Sequence, residues 1–323
     1  GVVVSPGVPI NRHPIADKAH AANVPLIGDI ELFSQARPSL PPHKVIGITG
    51  TNGKSTTTAL IHHIVETAGI PARLGGNIGL PILGQEPLPE GGVYVLELSS
   101  YQIDLCHALD CDIAVLLNIT PDHLDRYDGF ADYAAAKERL FTMQHVDKVA
   151  VIATEDDRTK MIASRINHRL MRVSSKQVGD QSRWPSLQGP HNAQNVAAAR
   201  AVAEVLGIKA STIEEALHTY PGLPHRMERV RELGGVVYVN DSKATNPTST
   251  APALAAFPAI HWILGGRAKT SELDACVPYF GHVRAAYTIG ESAGMFASLL
   301  KDRMSVSQCN SLDIAVRAAS KAA

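Results

Sequence analysis

Short runs of β-branched and other apolar residues alternate along this chain with longer alanine-rich stretches. The short runs are continuously apolar, as in strands buried on both faces, and they are 44–48, 93–97, 113–118 and 148–153. The longer stretches have helical character, and they are 55–68, 132–144, 192–206 and 211–219. This alternation predicts an α/β fold built on a parallel sheet.

A segment rich in proline and glycine, Tyr220–Pro224, separates this pattern from a second one. Beyond it we predict strands at 236–239, 260–264 and 285–289, and helices at 293–300 and 312–322. Because another loop, Pro38–Pro42, precedes the first central strand, we expect three segments, 1–36, 37–222 and 223–323. The chain opens on a strand-like run and closes on a helix with no further strand, so we expect additional residues at both ends.

Composition and charge argue against several classes of protein. The chain has 323 residues, 45% of them hydrophobic, and a formal net charge of −1. This balance provides no electrostatic surface for nucleic acid or for an anionic membrane. No apolar run of about 18 residues and no secretory signal is visible, and the four cysteines form no CxxC pair. We therefore expect a monomeric cytoplasmic enzyme with buried free thiols that acts on small molecules.

A glycine-rich segment, Gly47–Thr56 (GITGTNGKST), lies between a predicted strand and a predicted helix. Glycines allow successive backbone N–H groups to face phosphate oxygens, and the helix N-terminus adds a partial positive charge. Lys54 is placed to reach the β- and γ-phosphates of ATP, and Ser55 to place its hydroxyl on Mg²⁺. The standard phosphate-binding motif has a glycine at the position of Ile48. Here the spacing is Gly50-x-x-Gly53-Lys54-Ser55, a shorter variant, and we call Gly47–Thr56 the phosphate loop. The alternative is a flexible turn, but the strand–loop–helix context favours ATP.

Three further side chains follow the phosphate loop in the chain. Glu97 ends one predicted strand and His123 follows the next, so both return to the edge of a parallel sheet that binds ligands. A carboxylate there is suited to Mg²⁺, and Asp122 and Asp125 are rival oxygen ligands. Lys137 lies in a predicted helix that, from composition alone, is typical of a solvated face.

Together these motifs resemble the Mur ligase family of ATP-dependent enzymes that form amide bonds. The segments that match the family are Thr49–Ser55, Glu97 with the following Leu-Ser-Ser, His123, Lys137, and Gly189–Asn192 with Asn195. Further segments are similar to the branch that adds D-glutamate to UDP-N-acetylmuramoyl-L-alanine, and these are Ser5–Gly7, Gly28–Phe33, Gly75–Gly79, Gly222–Glu228 and Asn240–Asn246. The resemblance extends from Ser5 to at least Lys269.

The resemblance implies a reaction of peptidoglycan precursor synthesis. ATP would phosphorylate the terminal carboxylate of the nucleotide sugar, and the amine of D-glutamate would then attack the acyl phosphate. Lys54 and two Mg²⁺ ions would bring the two anions together. The implied metal ligands are Ser55, Glu97, His123 and Lys137, the last as a carbamate formed on its amine; the implied catalytic residues are Lys54, Glu97, His123 and Lys137.

The resemblance also assigns residues to the substrates. The residues implied for ATP are Gly50, Thr51, Asn52, Gly53, Lys54, Ser55, Thr56, Asn192, Asn195, Arg226 and Asp241. Those implied for the nucleotide sugar and the amino acid are Ser5, Gly7, Asn77, His123, Lys243, Thr245 and Lys269. By itself, the sequence Asp241–Lys243 is also typical of a turn after a strand.

At the level of domains, the resemblance makes residues 1–36 a remnant of an N-terminal Rossmann-like domain that binds UDP. Residues 37–222 would be the central P-loop domain, and 223–323 an incomplete C-terminal Rossmann-like domain. We accordingly expect this chain to bind ATP–Mg²⁺ more readily than the nucleotide sugar. The alternatives are a ligase of the same family with another amino acid or a folate-type acceptor, a nucleotide-dependent switch without ligation, and a catalytically inactive binding module.

Overall fold

The computed structural model describes residues 1–123, 125–268 and 270–323. Its contacts divide the chain into two compact units. The first comprises Gly1–Leu187 and His191–Tyr220, and the second comprises Gln188–Pro190 and Pro221–Ala323. Residues 1–36 are therefore grouped with the residues that carry the phosphate loop.

A six-stranded parallel sheet forms the centre of the first unit. The strands up to Tyr220 are β1 (Val2–Val3), β2 (Leu26–Ile27), β3 (His43–Thr49), β4 (Ala72–Gly76), β5 (Gly92–Glu97), β6 (Ile113–Leu116), β7 (Val149–Ala153) and β8 (Arg169–Val173). The large sheet has the order β4-β5-β3-β6-β7-β8, and every neighbouring pair is parallel. The predicted α/β fold with a parallel sheet is confirmed.

Helices cover both faces of this sheet. Up to Tyr220 they are α1 (Ile15–Ala21), α2 (Asp29–Ala36), α3 (Lys54–Thr67), α4 (Ser100–Asp104), α5 (Phe130–Thr142), α6 (Asp157–Arg165), α7 (Pro190–Val205) and α8 (Ala210–Thr219). One core joins α3, α7 and α8 to the sheet, and the other joins α2, α5 and α6. Every residue of β5, β6 and β7 is buried, which explains why these strands are continuously apolar in the sequence.

The register of the strands shows which loops leave the six-stranded sheet at the same edge. β3 lies between β5 and β6, with Ile48 opposite Glu97 and Thr49 opposite Leu116. On the far side of β5, Gly76 of β4 is also opposite Glu97. The loops that follow β3, β4, β5 and β6 therefore leave the sheet at the same edge, as expected for parallel strands.

Side chains of α2 hold the N-terminal residues against the rest of the first unit through hydrogen bonds to backbone groups. Glu31 is buried and accepts hydrogen bonds from the N–H groups of His107 (2.8 Å) and Ala108 (3.0 Å). The Ser34 hydroxyl donates to the Ala108 carbonyl at 2.7 Å. Burial raises the pKa of Glu31, but the hydrogen bonds from His107, Gln35 and Ala108 outweigh it and lower this pKa overall. Glu31 is thus held as a carboxylate that joins α2 to the segment after α4.

The second unit is a smaller α/β arrangement. Its strands are β9 (Glu228–Leu233), β10 (Val236–Asn240), β11 (Ile260–Gly265), β12 (Val283–Ile289) and β13 (Ser305–Gln308), and its helices are α9 (Pro247–Ala255), α10 (Ala293–Leu300) and α11 (Leu312–Ala322). β9 and β10 form an antiparallel hairpin, whereas β11, β12 and β13 form a parallel sheet. Leu254, Trp262, Cys276 and Leu300 lie in its core.

Across the described residues, no helix is long and apolar enough to cross a membrane. The four cysteines are free and buried, as predicted.

Candidate active site

The phosphate loop lies between β3 and α3, and Asn118, two residues after the end of β6, fixes its backbone. The Asn118 carbonyl accepts from the Thr51 N–H at 2.8 Å. The side chain of the same residue accepts from the Asn52 N–H at 2.8 Å and donates to the Asn52 carbonyl at 3.1 Å. Asn118 therefore satisfies both backbone groups of Asn52, which limits the conformations available to the loop.

The Thr51 side chain connects the loop to two other elements. Its hydroxyl donates to the Thr120 carbonyl at 3.1 Å and accepts from the Thr120 N–H at 3.0 Å. It also lies 3.1 Å from the hydroxyl of Tyr133 on α5. The loop, the segment after β6 and α5 therefore form one hydrogen-bonded group.

Two lysines converge on a single backbone carbonyl of the loop. The Lys54 ammonium donates to the carbonyls of Gly50 and Thr51, each at 2.9 Å. Lys137 reaches the Gly50 carbonyl from α5, also at 2.9 Å. Burial, together with the nearby charge of Lys54, lowers the pKa of Lys137 well below its ordinary value. This environment favours a neutral, nucleophilic amine at Lys137.

The interpretation of Lys137 as part of a solvated face, based on composition alone, is wrong. Its side chain is 1% exposed. Tyr133, Lys137 and Phe141 recur at four-residue spacing on α5, and all three are buried. A lysine four residues from an aromatic residue on an otherwise apolar stripe was the signal available in the sequence.

Glu97 and Asn77 meet because β4 and β5 are neighbours. The Asn77 side chain donates to Glu97 Oε1 at 2.8 Å, and its backbone N–H donates to the Glu97 carbonyl at 2.8 Å. The other carboxylate oxygen, Oε2, is buried and has no hydrogen-bond partner among the residues that the structure describes. A buried acceptor without a donor is costly, and a bound cation would satisfy it. Glu97 thus fits the predicted role of metal ligand.

His123 lies on the loop after β6 with a positive φ of 54°. Its Nε2 is 3.6 Å from Asp122 Oδ2, and its ring centroid is 5.1 Å from that of Tyr101. Burial lowers the pKa of His123, and the charges of Lys137 and Lys54 lower it further, although Asp122 opposes them. The imidazole is thus biased towards its neutral form, which is the form that ligates metals.

The side chains that the structure describes do not by themselves form a complete metal site. Within residues 1–123, 125–268 and 270–323, no group of three or more His, Cys, Asp or Glu residues could hold a metal ion. A divalent cation at Glu97 would therefore need oxygens from elsewhere, as Mg²⁺ typically takes them from water and phosphate. A carbamate on Lys137 would supply another, while Asp122 lies beside His123 and remains an alternative.

The predicted substrate segment Ser5–Gly7 lies beside the His123 loop. Arg126 donates to the carbonyls of Pro6 (3.1 Å), Gly7 (3.4 Å) and Val8, and its guanidinium lies 4.3 Å from the centre of the Tyr101 ring. A cleft of about 280 Å³ opens here, lined by Gly7, Tyr101 and Arg126 among others. Arg126 was not recognised from the sequence.

Two asparagines of α7 lie against the start of α3. Asn195 donates to Asn192 Oδ1 at 3.1 Å and accepts from the Thr57 hydroxyl at 3.1 Å. Both asparagines are buried. The structure therefore brings these predicted ATP-binding residues together with the helix that follows the phosphate loop.

The remaining predicted residues belong to the second unit. Arg226 lies between two residues with positive φ, His225 at 65° and Met227 at 48°. Asp241 Oδ1 accepts from the Met227 N–H at 3.0 Å, and the Lys243 N–H donates to the His225 carbonyl at 3.1 Å. The turn that carries Arg226 is thus tied to the segment after β10.

Two further predictions for this unit concern amino-acid contacts. Lys243 and Thr245 are exposed and follow the turn after β10. Lys269, which the resemblance also placed near the amino acid, lies outside the described residues.

Two family models and several named proteins are similar to this chain. Residues 48–186 match the family model described as the Mur ligase middle domain, and residues 225–323 match the Mur ligase, glutamate ligase domain. A protein of Sphingopyxis alaskensis named UDP-N-acetylmuramoylalanine--D-glutamate ligase is 62% identical over all of this chain and 76% of its own length. The protein of that name from Novosphingobium aromaticivorans is 63% identical over all of this chain and 74% of its own length. The chain belongs to the Mur ligase family.

Solved structures agree with this assignment at the level of the fold. The MurF ligase of Thermotoga maritima, in complex with ADP, has a TM-score of 0.69 at 16% identity, over 93% of this chain and 90% of its own. The UDP-N-acetylmuramate-alanine ligase of the same organism has a TM-score of 0.67 at 17% identity, over 96% and 76%. The arrangement of strands and helices described above is therefore a Mur ligase fold.

Gly53, the residue before α3, provides a test of the packing around the phosphate loop in this Mur ligase. Its φ is +85°, and a Cβ built there lies 2.4 Å from Asn195 Oδ1. We expect Gly53→Ala to destabilise the first unit by about 1–3 kcal/mol and to weaken ATP binding, since strain and clash both act at the loop. The measurements are chemical denaturation and calorimetric titration with ADP.

Gly69→Ala is the matched control for this prediction. Gly69 has a φ of +73°, but no atom of the other described residues lies within 4 Å of a Cβ built there. Gly69→Ala therefore introduces backbone strain at a positive φ, as Gly53→Ala does, but no steric clash at the added Cβ. Equal effects of the two substitutions on ADP binding would contradict the prediction.

The environment of Asp241 leads to a prediction about pH. Burial raises the pKa of Asp241 to about 6 from an ordinary value of 3.8. The folded state thus binds the proton more tightly than the unfolded state, so this group makes stability fall as the pH rises from about 4 to about 6. We expect Asp241→Asn, which keeps an oxygen for the Met227 N–H, to stabilise the second unit relative to the parent by up to about 2 kcal/mol above pH 6 and little near pH 4.

Hydrogen exchange of the β9 and β10 amides, followed from pH 4 to pH 8, would measure this difference. Asp302→Asn, at an exposed position of the same unit, is the control. A stability difference between Asp241→Asn and the parent that does not change with pH would refute the assignment.

Proposed function

We propose that this chain is an ATP-dependent amide ligase that adds D-glutamate to UDP-N-acetylmuramoyl-L-alanine in peptidoglycan precursor synthesis. The observation that carries the proposal is the convergence of Lys54 and Lys137 on the Gly50 carbonyl, together with the buried Glu97 carboxylate, one oxygen of which has no partner within the described part of the chain. A nucleotide switch needs the loop and one lysine, but it has no use for a second, buried amine. The curated relatives support the proposal, because those that match the whole chain carry this enzyme's name.

The ATP would lie along the phosphate loop and the start of α3. The N-terminus of α3, with Gly53 as its N-cap, and the Lys54 ammonium would bind its phosphates. The N–H groups of Thr51 and Asn52 instead donate to Asn118 and would hold Gly50, Thr51 and Asn52 in place beside the nucleotide. Asn192 and Asn195 lie beside the same helix and would bind the adenine side. Ser55 and Thr56 occupy the first turn of α3. Arg226 and Asp241 are further residues proposed for ATP.

Glu97, Ser55, His123 and a carbamate on Lys137 would hold Mg²⁺, in two sites by family resemblance. Bound Mg²⁺ would neutralise charge on the phosphates and on the reacting carboxylate. Carbamate formation is consistent with the environment of Lys137: a neutral amine attacks the carbon of CO₂, a C–N bond forms and one proton is released. Burial and the charge of Lys54 both favour the neutral amine that this reaction requires.

The nucleotide sugar would contact Ser5, Gly7, Asn77 and His123. Its terminal carboxylate would attack the γ-phosphorus of ATP and release ADP. The amine of D-glutamate would then attack the acyl phosphate, and the resulting tetrahedral intermediate would lose phosphate to leave the amide. The carboxylates of D-glutamate require cationic or hydroxyl partners, and Lys243, Thr245 and Lys269 are the residues proposed for this role.

Phosphate release from ATP–Mg²⁺ with UDP-N-acetylmuramoyl-L-alanine tests the proposal. We expect release to depend on D-glutamate and not on L-glutamate, L-alanine or a diamino acid. The Sphingopyxis alaskensis relative, assayed in parallel, is the positive control.

Each alternative predicts a different result in this assay. Dependence on another amino acid, or on a folate-type acceptor, would indicate a different ligase of the family. Slow hydrolysis indifferent to any amino acid would indicate a nucleotide switch. ATP binding without phosphate release, beside an active relative, would indicate an inactive binding module.

A further inference from the structure

The amide of Asn118 has only one orientation that suits the phosphate loop. Its oxygen must face the Asn52 N–H and its nitrogen the Asn52 carbonyl, as observed at 2.8 and 3.1 Å. Rotation of the amide by half a turn would bring donor against donor and acceptor against acceptor. Because an amide is nearly symmetric in shape, packing alone does not select the correct orientation.

A second amide contacts Asn118 from helix α7. Gln194 Oε1 accepts from Asn118 Nδ2 at 2.8 Å. The nitrogen of the Gln194 amide in turn donates to Glu155 Oε2. Gln194 is thus the link between Asn118 and a carboxylate on the segment after β7.

The carboxylate at the end of this chain is held in its charged form. Glu155 accepts from the Ser175 N–H at 2.6 Å and from the Ser174 hydroxyl at 3.3 Å. Burial raises the pKa of Glu155, but the hydrogen bonds from Ser175, Gln194 and Ser174 outweigh it and hold this pKa below its ordinary value. An ionised carboxylate accepts hydrogen bonds and cannot donate them.

We propose that Glu155 and Gln194 are positioning residues for ATP binding, which fix the orientation of the Asn118 amide and through it the phosphate loop. The carboxylate accepts only, so the Gln194 nitrogen must face it and the Gln194 oxygen must face Asn118. Asn118 is then left with its nitrogen towards Gln194 and its oxygen free for the Asn52 N–H. The inference rests on the proposed function only in that the loop binds the phosphates of ATP.

Helix α7 also carries residues that are proposed to bind the other end of the nucleotide. Gln194 lies between Asn192 and Asn195, which are both buried against the start of α3. The same helix therefore carries both the residue that orients the loop and the residues proposed for the adenine side.

A charge exchange between the two residues tests the proposal. In Gln194→Glu, two carboxylates face one another, so we expect the Kd for ADP–Mg²⁺ to rise by about tenfold or more. In the double variant Glu155→Gln with Gln194→Glu, the new glutamine donates to the new glutamate, which still accepts from Asn118. We expect this exchange to bring the Kd back to within about threefold of the parent value. Calorimetric titration with ADP–Mg²⁺ measures each variant.

A second glutamine–glutamate contact provides the matched control. Gln35 donates to Glu31 Oε1 at 3.0 Å on α2. Gln35→Glu creates the same repulsion between carboxylates with no hydrogen-bonded route to the loop, so it should lower the unfolding temperature and leave the Kd for ADP unchanged. A purely structural role for Gln194 predicts that the two single variants affect Kd alike.

The outcomes separate this inference from the proposed function. If the parent binds ADP–Mg²⁺ but folded Gln194→Glu binds equally well, or if the exchange fails to restore binding, the orienting role is wrong. The dependence of phosphate release on D-glutamate in the parent is unaffected by that result. If the parent shows no binding of ADP or ATP, the proposed function fails first.

Discussion

Replacing Lys54 with methionine is expected to lower the ligase turnover number by about 10³-fold, because the charge that faces the transferred phosphoryl group is lost. Methionine keeps a chain of similar length, so the packing at the start of α3 should survive. A second effect adds to the first. The charge of Lys54 helps to lower the pKa of Lys137, and its removal should raise the protonated fraction of that amine.

Steady-state phosphate release, with and without D-glutamate, measures this effect. Lys44→Met is the matched control, because Lys44 is exposed near the opposite end of the same strand. A Lys54→Met enzyme whose turnover stays within about threefold of the parent would rule out the assigned role.

Replacing Lys137 with methionine should also lower the turnover number by about 10³-fold, but for a different reason. The substitution removes the amine that is proposed to take up CO₂ but keeps an unbranched side chain in a site that is 1% exposed. Because a polar amine no longer has to be buried, we expect the free energy of unfolding to be unchanged or higher. A fall in activity without a fall in stability is the expected signature.

The dependence on CO₂ distinguishes a carbamate from a plain amine at Lys137. Removing CO₂ and bicarbonate from the assay should lower the turnover of the parent enzyme and leave the residual turnover of Lys137→Met unchanged. A parent enzyme that is indifferent to CO₂, together with a variant that is inactive, would argue for a lysine that acts as a cation.

The interior of the parallel sheet was predictable from the sequence, but its borders were not. β3 from Val45 onward and all of β5, β6 and β7 are buried, so these stretches are largely apolar in the sequence. The missed strand β8 lies at one edge and carries Arg169 and Arg172, while β4 at the other edge ends in two glycines. Edge strands face solvent on one side, so hydrophobic pattern alone does not mark them.

In the candidate site, likewise, some side chains could be predicted from the sequence and others could not. The spacing of glycines in the phosphate loop, between a strand and a helix, is by itself typical of phosphate binding. The sequence therefore predicted roles for Lys54 and Ser55 directly. Lys137 needed the family resemblance, because only packing reveals that its amine is buried. Asn118 and Gln194 were missed, since an amide gains its role from which donors and acceptors surround it, and these come from segments far apart in the chain.

The pairing of β4 with β5 determines which changes in chain length the site can tolerate. Asn77 is the first residue after β4 and Glu97 is the last residue of β5, so the backbone ladder sets their separation. Glu86 and Pro87 are exposed in the connection between the strands, whereas Ile82 and Leu88 on either side of them are buried in the core. An insertion at Glu86–Pro87 should therefore leave the Asn77 and Glu97 side chains facing each other. Loss of one residue from 72–76 would shift Asn77 by one position along the ladder and turn it to the opposite face of the sheet. Length variation in this Mur ligase should therefore be accepted in the exposed part of the connection and rejected in the short strand before it.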